Sequence, residues 1–194
     1  MTKINNGIIQ FDKVEILKQL INRRLKKEPI AYIINNKEFW SSNFYVDRSV
    51  LIPRPETEVL IDLLLSRISN KNKYFDVLDI GTGCGCILIS LLKELTKAKG
   101  VGVDKSSKAI TVAKKNSHLN KIDNRICFKN ISLEQINFDK KFDIIISNPP
   151  YLSNILLKVS SILLLDNKTI YDSLKNTLLY INNLYERIGL YWCR

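Results

Sequence analysis

Few residues in this 194-residue chain suit a metal centre or a nucleophile relay. It holds one histidine, His118, and four cysteines, Cys84, Cys86, Cys127 and Cys193. Cys84 and Cys86 have no second pair at zinc-finger spacing, so no metal site is expected. The cysteines read better as small buried residues, and a disulfide does not suit a reducing compartment. His118 falls late on a stretch of helical period, 108–119, where a solvated place near a helix end is expected. No apolar run approaches the ~18–20 residues that cross a bilayer. The first seven residues lack the apolar core of a signal peptide. Membrane spanning and export are thus set aside, and a cytoplasmic location is expected. No internal repeat is present.

Acidic residues are also scarce, 19 against 30 Lys and Arg, giving a net charge of +11. Such an excess invites a nucleic-acid reading. The basic clusters lie apart, at 23–27, 97–99, 114–115 and 140–141, and form no single stripe with interleaved aromatics. Abundant isoleucine, lysine and asparagine point instead to an AT-rich genome that inflates lysine. Direct nucleic-acid binding is therefore not expected, and the charge that remains would steer an acidic partner. Hydrophobic content of 45% and charged content of 25% are globular values, enough for one ordinary core and a monomer.

What is present is concentrated in two motifs. Asn148-Pro149-Pro150-Tyr151 follows an apolar run, 142–147, that reads as a buried parallel strand. Neither proline donates a backbone hydrogen bond. Pro149 pushes Asn148 into an extended conformation. The Asn148 side-chain oxygen and the Pro149 carbonyl could both accept from one planar NH2 group, while Tyr151 stacks on the flat target. A strand that merely ends in a proline turn would leave the second motif without a counterpart.

That second motif, residues 79–86, reads Asp-Ile-Gly-Thr-Gly-Cys-Gly-Cys. It lies between an apolar run, 74–78, and a stretch of helical period, 87–95. Alternate glycines let the backbone turn sharply beside a ligand, and the helix start favours a carboxylate or phosphate. A third strand, 100–103, ends in Asp104, near the ~20-residue offset at which an acid grips ribose hydroxyls. The Gly pattern alone would also fit a nicotinamide enzyme. Cys86, however, occupies the sixth fingerprint position, usually Gly or Ala, and hydride transfer has no use for Asn-Pro-Pro-Tyr. The combination points to S-adenosylmethionine, with the sulfonium methyl aimed at Asn148. If strands 74–79 and 142–147 flank the reversal of strand order, both motifs line one crevice.

With these motifs the chain resembles the HemK-type glutamine-N5 methyltransferases, which modify peptide-chain release factors. The carrying segments are 28–33 (Glu-Pro-Ile-Ala-Tyr-Ile), 38–40 (Glu-Phe-Trp), 51–58 (Leu-Ile-Pro-Arg-Pro-Glu-Thr-Glu), 79–85, Asp104 and 147–151. The Pro-Arg-Pro-Glu-Thr-Glu box is the discriminating one. The resemblance implies an α/β Rossmann-like class I S-adenosylmethionine-dependent methyltransferase fold with an incomplete carboxyl-terminal part, preceded by a short helical segment and a β-hairpin. It implies cofactor contacts from Gly81, Thr82, Gly83, Cys84, Gly85, Asp104, Asn130, Ile131 and Asn148. Asn148, Pro149, Pro150 and Tyr151 would bind the glutamine amide of a release factor's Gly-Gly-Gln loop, with Asn148 and Pro149 as the catalytic pair. The methyl would pass in line to the amide nitrogen, with rate drawn from orientation and no covalent intermediate.

The domain reading is 1–36 as a remnant of a helical substrate-recognition domain, 37–50 as a linking hairpin, and 51–194 as the methyltransferase domain. Val14, Leu17, Leu20, Ile21 and Leu25 have helical spacing. The hairpin is expected to turn at 41–43. A helix is expected from Glu56 to about Ser69, capped by Thr57 or a neighbour, with Arg54 near the crevice. Trp40 and Tyr45 read as core packing. Residues 152–194 are atypical: a Leu/Asn/Lys-rich run, 153–165, precedes an amphipathic helix over 169–188. The chain thus reads as truncated at both ends. Without the family's further strands, Ile144, Ile145 and Ile146 would lie on an exposed edge, unless 153–165 supplies a strand or a partner covers it. Two other readings remain open. An N6-adenine methyltransferase would use the same pocket on a flipped base, though the carboxyl end is short for a target-recognition region. A non-catalytic remnant would be either a binding protein or a product with no function.

Where the family carries an acid near the adenine, this chain has Asn130, which keeps an acceptor but no charge. Weakened cofactor binding is expected. Calorimetric titration with S-adenosylmethionine checks it, and a low-micromolar affinity would count against it.

Overall fold

The computed structural model describes residues 11–132, 135–136, 142–148 and 161–164. Pro149, Pro150, Tyr151, Cys193 and the helix expected at 169–188 lie outside the described residues. Helix α1 (Phe11–Leu25) and the single turn α2 (Ile30–Ile33) precede the hairpin β1 (Lys37–Phe39) and β2 (Ser42–Phe44). A 3-10 turn (Pro55–Thr57) leads into α3 (Glu58–Arg67). Then strands and helices alternate: β3 (Asp76–Ile80), α4 (Cys86–Glu94), β4 (Lys99–Asp104), α5 (Ser107–Leu119), β5 (Ile126–Asn130), β6 (Ile144–Ser147) and β7 (Ser161–Leu164).

The main sheet runs β5-β4-β3-β6-β7. Its first four strands are parallel, and β7 is antiparallel to β6. Strands buried on both faces read as continuous apolar runs. On β3 and β6, Val77, Ile144 and Ile146 join the cluster formed with α3, α4, α5 and the hairpin. Leu78, Ile80 and Ile145 join Val103, Ile136 and Phe142 on the other face. This is the period-2 alternation of a strand. The expected exposed edge at Ile144–Ile146 does not arise: β7 pairs with β6 through Ile144↔Leu164 to Ser147↔Ser161, so part of 153–165 supplies the covering strand.

The hairpin differs from expectation. Its turn is Trp40-Ser41, and Ser42 and Asn43 already belong to β2. Both turn residues have positive φ, 48° and 51°, the combination that two-residue hairpin turns use and that Gly or Asn usually supplies. Tertiary bonds hold Trp40 there: its N–H donates to Glu58 Oε1 and its indole Nε1 to Glu94 Oε1, both at 2.9 Å. Trp40 and Tyr45 pack against the main core, as expected.

Three polar clusters set the frame. Glu28 accepts a forked bond from Arg23 (2.8 and 2.7 Å) and an ion pair from Arg48 at 3.1 Å. The Arg23 fork, more than Arg48, holds its carboxyl down at about 2. Arg125 donates to the carbonyls of Leu92, Leu95 and Ala98, closing the carboxyl end of α4. Asn116 on α5, fully buried, accepts from the Tyr45 N–H (2.7 Å) and donates to the carbonyls of Tyr45 and Cys84 (2.9 Å each). It thereby joins the hairpin to the glycine loop. Replacing Asn116 by Leu would orphan these backbone groups at ~1–3 kcal/mol each. Urea unfolding should show a loss of about 3 kcal/mol or more, and a loss under about 1 kcal/mol would contradict this role.

Candidate active site

The order of the sheet reverses at β3, which has β4 on one side and β6 on the other. In such sheets ligands sit beyond the carboxyl ends of the strands at the reversal. Ile80 pairs with Ser147, so the chain leaves both strands side by side, as the glycine loop and as Asn148. The Ser147 hydroxyl donates to the Ile80 carbonyl at 3.1 Å and fastens the two exits.

A cavity of about 360 Å³ opens there, within the ~300–1,000 Å³ of small-molecule sites. It is walled by residues 49–54, Thr57, the loop 81–84, the start of α4, residues 104–106, Ala109 and Asn148. The loop turns on glycines that no side chain could replace cheaply. Gly83 has φ 56°, and Gly85 has φ 82° with Ile89 only 3.0 Å from the place a Cβ would take. The N–H groups of Gly81 and Thr82 both donate to the Val103 carbonyl, at 2.9 and 3.0 Å. That pair holds the loop against β4, whose end carries Asp104. The Asp104 carboxylate takes the Gly83 N–H on Oδ2 and the Ser106 N–H on Oδ1, both at 2.9 Å. An acid is thus held rigidly at the rim of the cavity, next to a helix start and a glycine-rich loop. The cavity combines a fixed carboxylate with the amino end of α4.

Below the loop lies Asp79, 1% exposed. Thr82 Oγ1 donates to its Oδ2 at 2.6 Å, while its Oδ1 has no hydrogen-bond partner among the described residues. Desolvation raises its pKa from 3.8 to about 7, opposed by the Thr82 hydrogen bond and assisted by the charge of Asp104. Cys84 and Cys86 are buried free thiols beside it, and contact with Cys84 together with burial pushes the Cys86 thiol up.

Asn148 reaches across to the start of α3, where its Nδ2 donates to Thr57 Oγ1 at 3.2 Å. Thr57, whose backbone is already helical (φ −72°, ψ −19°), makes no side-chain cap hydrogen bond to its own helix, although a cap by Thr57 or a neighbour was expected. The next residue, Glu58, holds the hairpin turn through Trp40. Arg54 lines the cavity.

Of the residues expected at the cofactor, Gly81, Thr82, Gly83, Cys84, Asp104 and Asn148 share this cavity. Gly85, Asn130 and Ile131 are not among its walls. Gly85 starts α4. The Asn130 amide donates to the Asp104 carbonyl at 2.9 Å, and Ile131 packs on the far-face cluster. Sequence reasoning missed the wall at 49–50, the neighbours Lys105 and Ser106, and the Thr57 contact. The cue for Thr57 was its place in the Pro-Arg-Pro-Glu-Thr-Glu box. His118 is exposed near the end of α5, its Nδ1 3.8 Å from Asp123 Oδ2. Among the described residues, no helix is long and apolar enough to cross a membrane.

The family model described as "Methyltransferase small domain" matches residues 57–164. The chain is 41% identical over 152 residues to the release factor glutamine methyltransferase of Buchnera aphidicola subsp. Baizongia pistaciae, covering 77% of this chain and 54% of that protein. It is 38% identical over 172 residues to the bifunctional methyltransferase of Rickettsia typhi, covering 79% of this chain and 33% of that one. The chain spans about half the length of the release-factor relative. A human methyltransferase 10 domain containing protein superposes with a TM-score of 0.46 at 23% identity, over 57% of this chain and 55% of that one. The resemblance read from the motifs agrees with these relatives, and the α/β sheet is the Rossmann-like methyltransferase fold that the motifs imply.

The sign of the Asp79 effect on stability follows from its raised pKa. Below about pH 3.8 folded and unfolded chains both hold the proton. Between 3.8 and about 7 the unfolded chain ionises while the folded one does not, so stability falls across that window and levels off above it. Each tenfold loss of acidity on folding costs about 1.4 kcal/mol above that window. Asp79→Asn should therefore be more stable than the parent at pH 8 by a few kcal/mol. At pH 3.5 the gain should vanish. Urea unfolding at both pH values reads the difference, and a gain independent of pH would refute the assignment.

Proposed function

The chain belongs to the methyltransferase small domain family, and on that footing we propose that it methylates the side-chain amide nitrogen of the glutamine in the Gly-Gly-Gln loop of a peptide-chain release factor, in the cytoplasm, using S-adenosylmethionine. The observation that carries the reading is the meeting of Asn148 and the glycine loop at one cavity, through the Ile80↔Ser147 register.

S-adenosylmethionine would supply an electrophilic methyl on its sulfonium. Asp104 would take the ribose hydroxyls on the lone pairs its carboxylate has left after binding Gly83 and Ser106. Gly81, Thr82, Gly83 and Cys84 would line the methionine end, next to the positive end of α4. Val50, Leu51 and Ile52 would exclude water. Asn148, with Pro149 and Pro150 beyond it, would accept the hydrogens of the substrate amide and hold its plane, and Tyr151 would stack on it. An amide nitrogen is a poor nucleophile because its lone pair is delocalised. Fixing its direction is therefore the main service these residues perform. The basic surface would assist encounter with an acidic protein.

Calorimetric titration of the 194-residue chain with S-adenosylmethionine should show saturable binding that Asp104→Ala abolishes. Methyl-labelled cofactor should then mark the Gly-Gly-Gln glutamine of a release factor and leave DNA unlabelled. Labelled DNA with an unlabelled release factor would overturn the proposal.

A further inference from the structure

We propose that Thr57 is a positioning residue for methyl transfer, acting through Asn148. The inference rests on the reading of Asn148 as the group that holds the substrate amide. Asn148 directly follows Ser147, the last residue of β6. A carboxamide on a strand end can swing about two side-chain torsions, and the terminal one is broad. Its tie to α3 is the 3.2 Å bond from Nδ2 to Thr57 Oγ1.

Thr57 is well placed to act as a fixed post. Its own N–H donates to the Arg54 carbonyl at 3.0 Å, closing the 3-10 turn Pro55–Thr57 whose first residue is a proline. Proline at that position restricts the turn before any contact is made. As a β-branched residue, Thr57 has few side-chain rotamers. Glu58 then anchors the same helix start to the Trp40 N–H, and α3 is seated in the core by Leu60, Ile61, Leu64 and Leu65. The residue that meets Asn148 thus sits on a helix start tied to the turn before it, to the hairpin and to the core. Thr57 makes no side-chain cap of its own helix, because its backbone is already helical (φ −72°, ψ −19°) where a capping residue is extended.

Thr57→Val removes the hydroxyl at nearly constant shape, and Thr57→Ser keeps it. With the full chain and a release factor, Thr57→Val should lower kcat by ~10- to 100-fold, the scale of a misplaced reacting group. Cofactor affinity by calorimetry should stay at the parent value, and Thr57→Ser should restore kcat. Parent-like kcat in Thr57→Val would overturn the proposal. So would a fall in kcat matched by loss of cofactor binding, since that marks collapse of the cavity wall. A second readout does not depend on turnover. In 15N spectra of the free protein, the Asn148 side-chain NH2 signals should shift and exchange faster with solvent in Thr57→Val, and return in Thr57→Ser. An unchanged Asn148 NH2 in Thr57→Val refutes the contact whatever the substrate proves to be. Absence of transfer by the parent chain, with the NH2 response intact, would overturn the role in methyl transfer together with the proposed reaction and leave only the hold of Thr57 on Asn148.

Discussion

The pairing of β3 with β6 is the constraint on which the site depends. Parallel register between Val77↔Ile144 and Ile80↔Ser147 brings two motifs far apart in sequence to neighbouring strand exits. A slip of one residue would turn Ile144 and Ile146 away from the helices that cover them and carry Asn148 off the cavity. Apolar side chains on both faces of β6 make such a slip costly, because every one of them is buried. The Ser147–Ile80 hydrogen bond adds a polar key to that apolar register. On the other side of β3, the Val103 carbonyl gathers two loop N–H groups and so fixes where Asp104 stands.

A second set of ties comes from outside the sheet. The start of α3 is a junction: Thr57 meets Asn148, and Glu58 meets the hairpin turn. From the opposite side Asn116 binds Tyr45 and Cys84, so the hairpin and the glycine loop share one buried amide. Tyr32 donates to the Val50 carbonyl at 2.7 Å, linking α2 to the stretch that walls the cavity. The helical segment and hairpin are thereby held to the cavity by directional bonds as well as apolar contact. Each of these donors and acceptors is costly to strand once buried, which makes the arrangement specific.

Much of this was legible in the sequence, for identifiable reasons. The strands around Leu78 and Ile145 are short apolar runs bounded by turn residues, and the helices at 86–94 and 107–119 carry strong period. The glycine loop and Asp104 could be paired from spacing alone, because a βαβ unit has few lengths. The hairpin turn was misplaced by a residue because Trp and Ser rarely take positive φ, and only contacts with Glu58 and Glu94 keep Trp40 there. The Thr57 hydroxyl could not be assigned, since a threonine before a helix reads first as a cap. Neither Asn116 nor the buried Asp79 was assigned a partner: a polar residue inside a helix or strand gives no sign of which backbone groups it will meet. Asn130, expected at the adenine, ends β5, and its amide turns to the Asp104 carbonyl.

The order of strands also dictates an order of events during synthesis. β3, β4 and β5 are made in sequence and pair on one side, so the glycine loop and Asp104 can assemble early. β6, which completes the other side of β3, is made last of these four. At roughly 5–20 residues per second on the ribosome, the apolar edge of β3 stays open for several seconds. During that interval the nascent chain presents an unpaired parallel edge, the feature that recruits wrong partners. The arrival of β6 therefore closes a window of vulnerability in the same step that delivers Asn148 to the cavity.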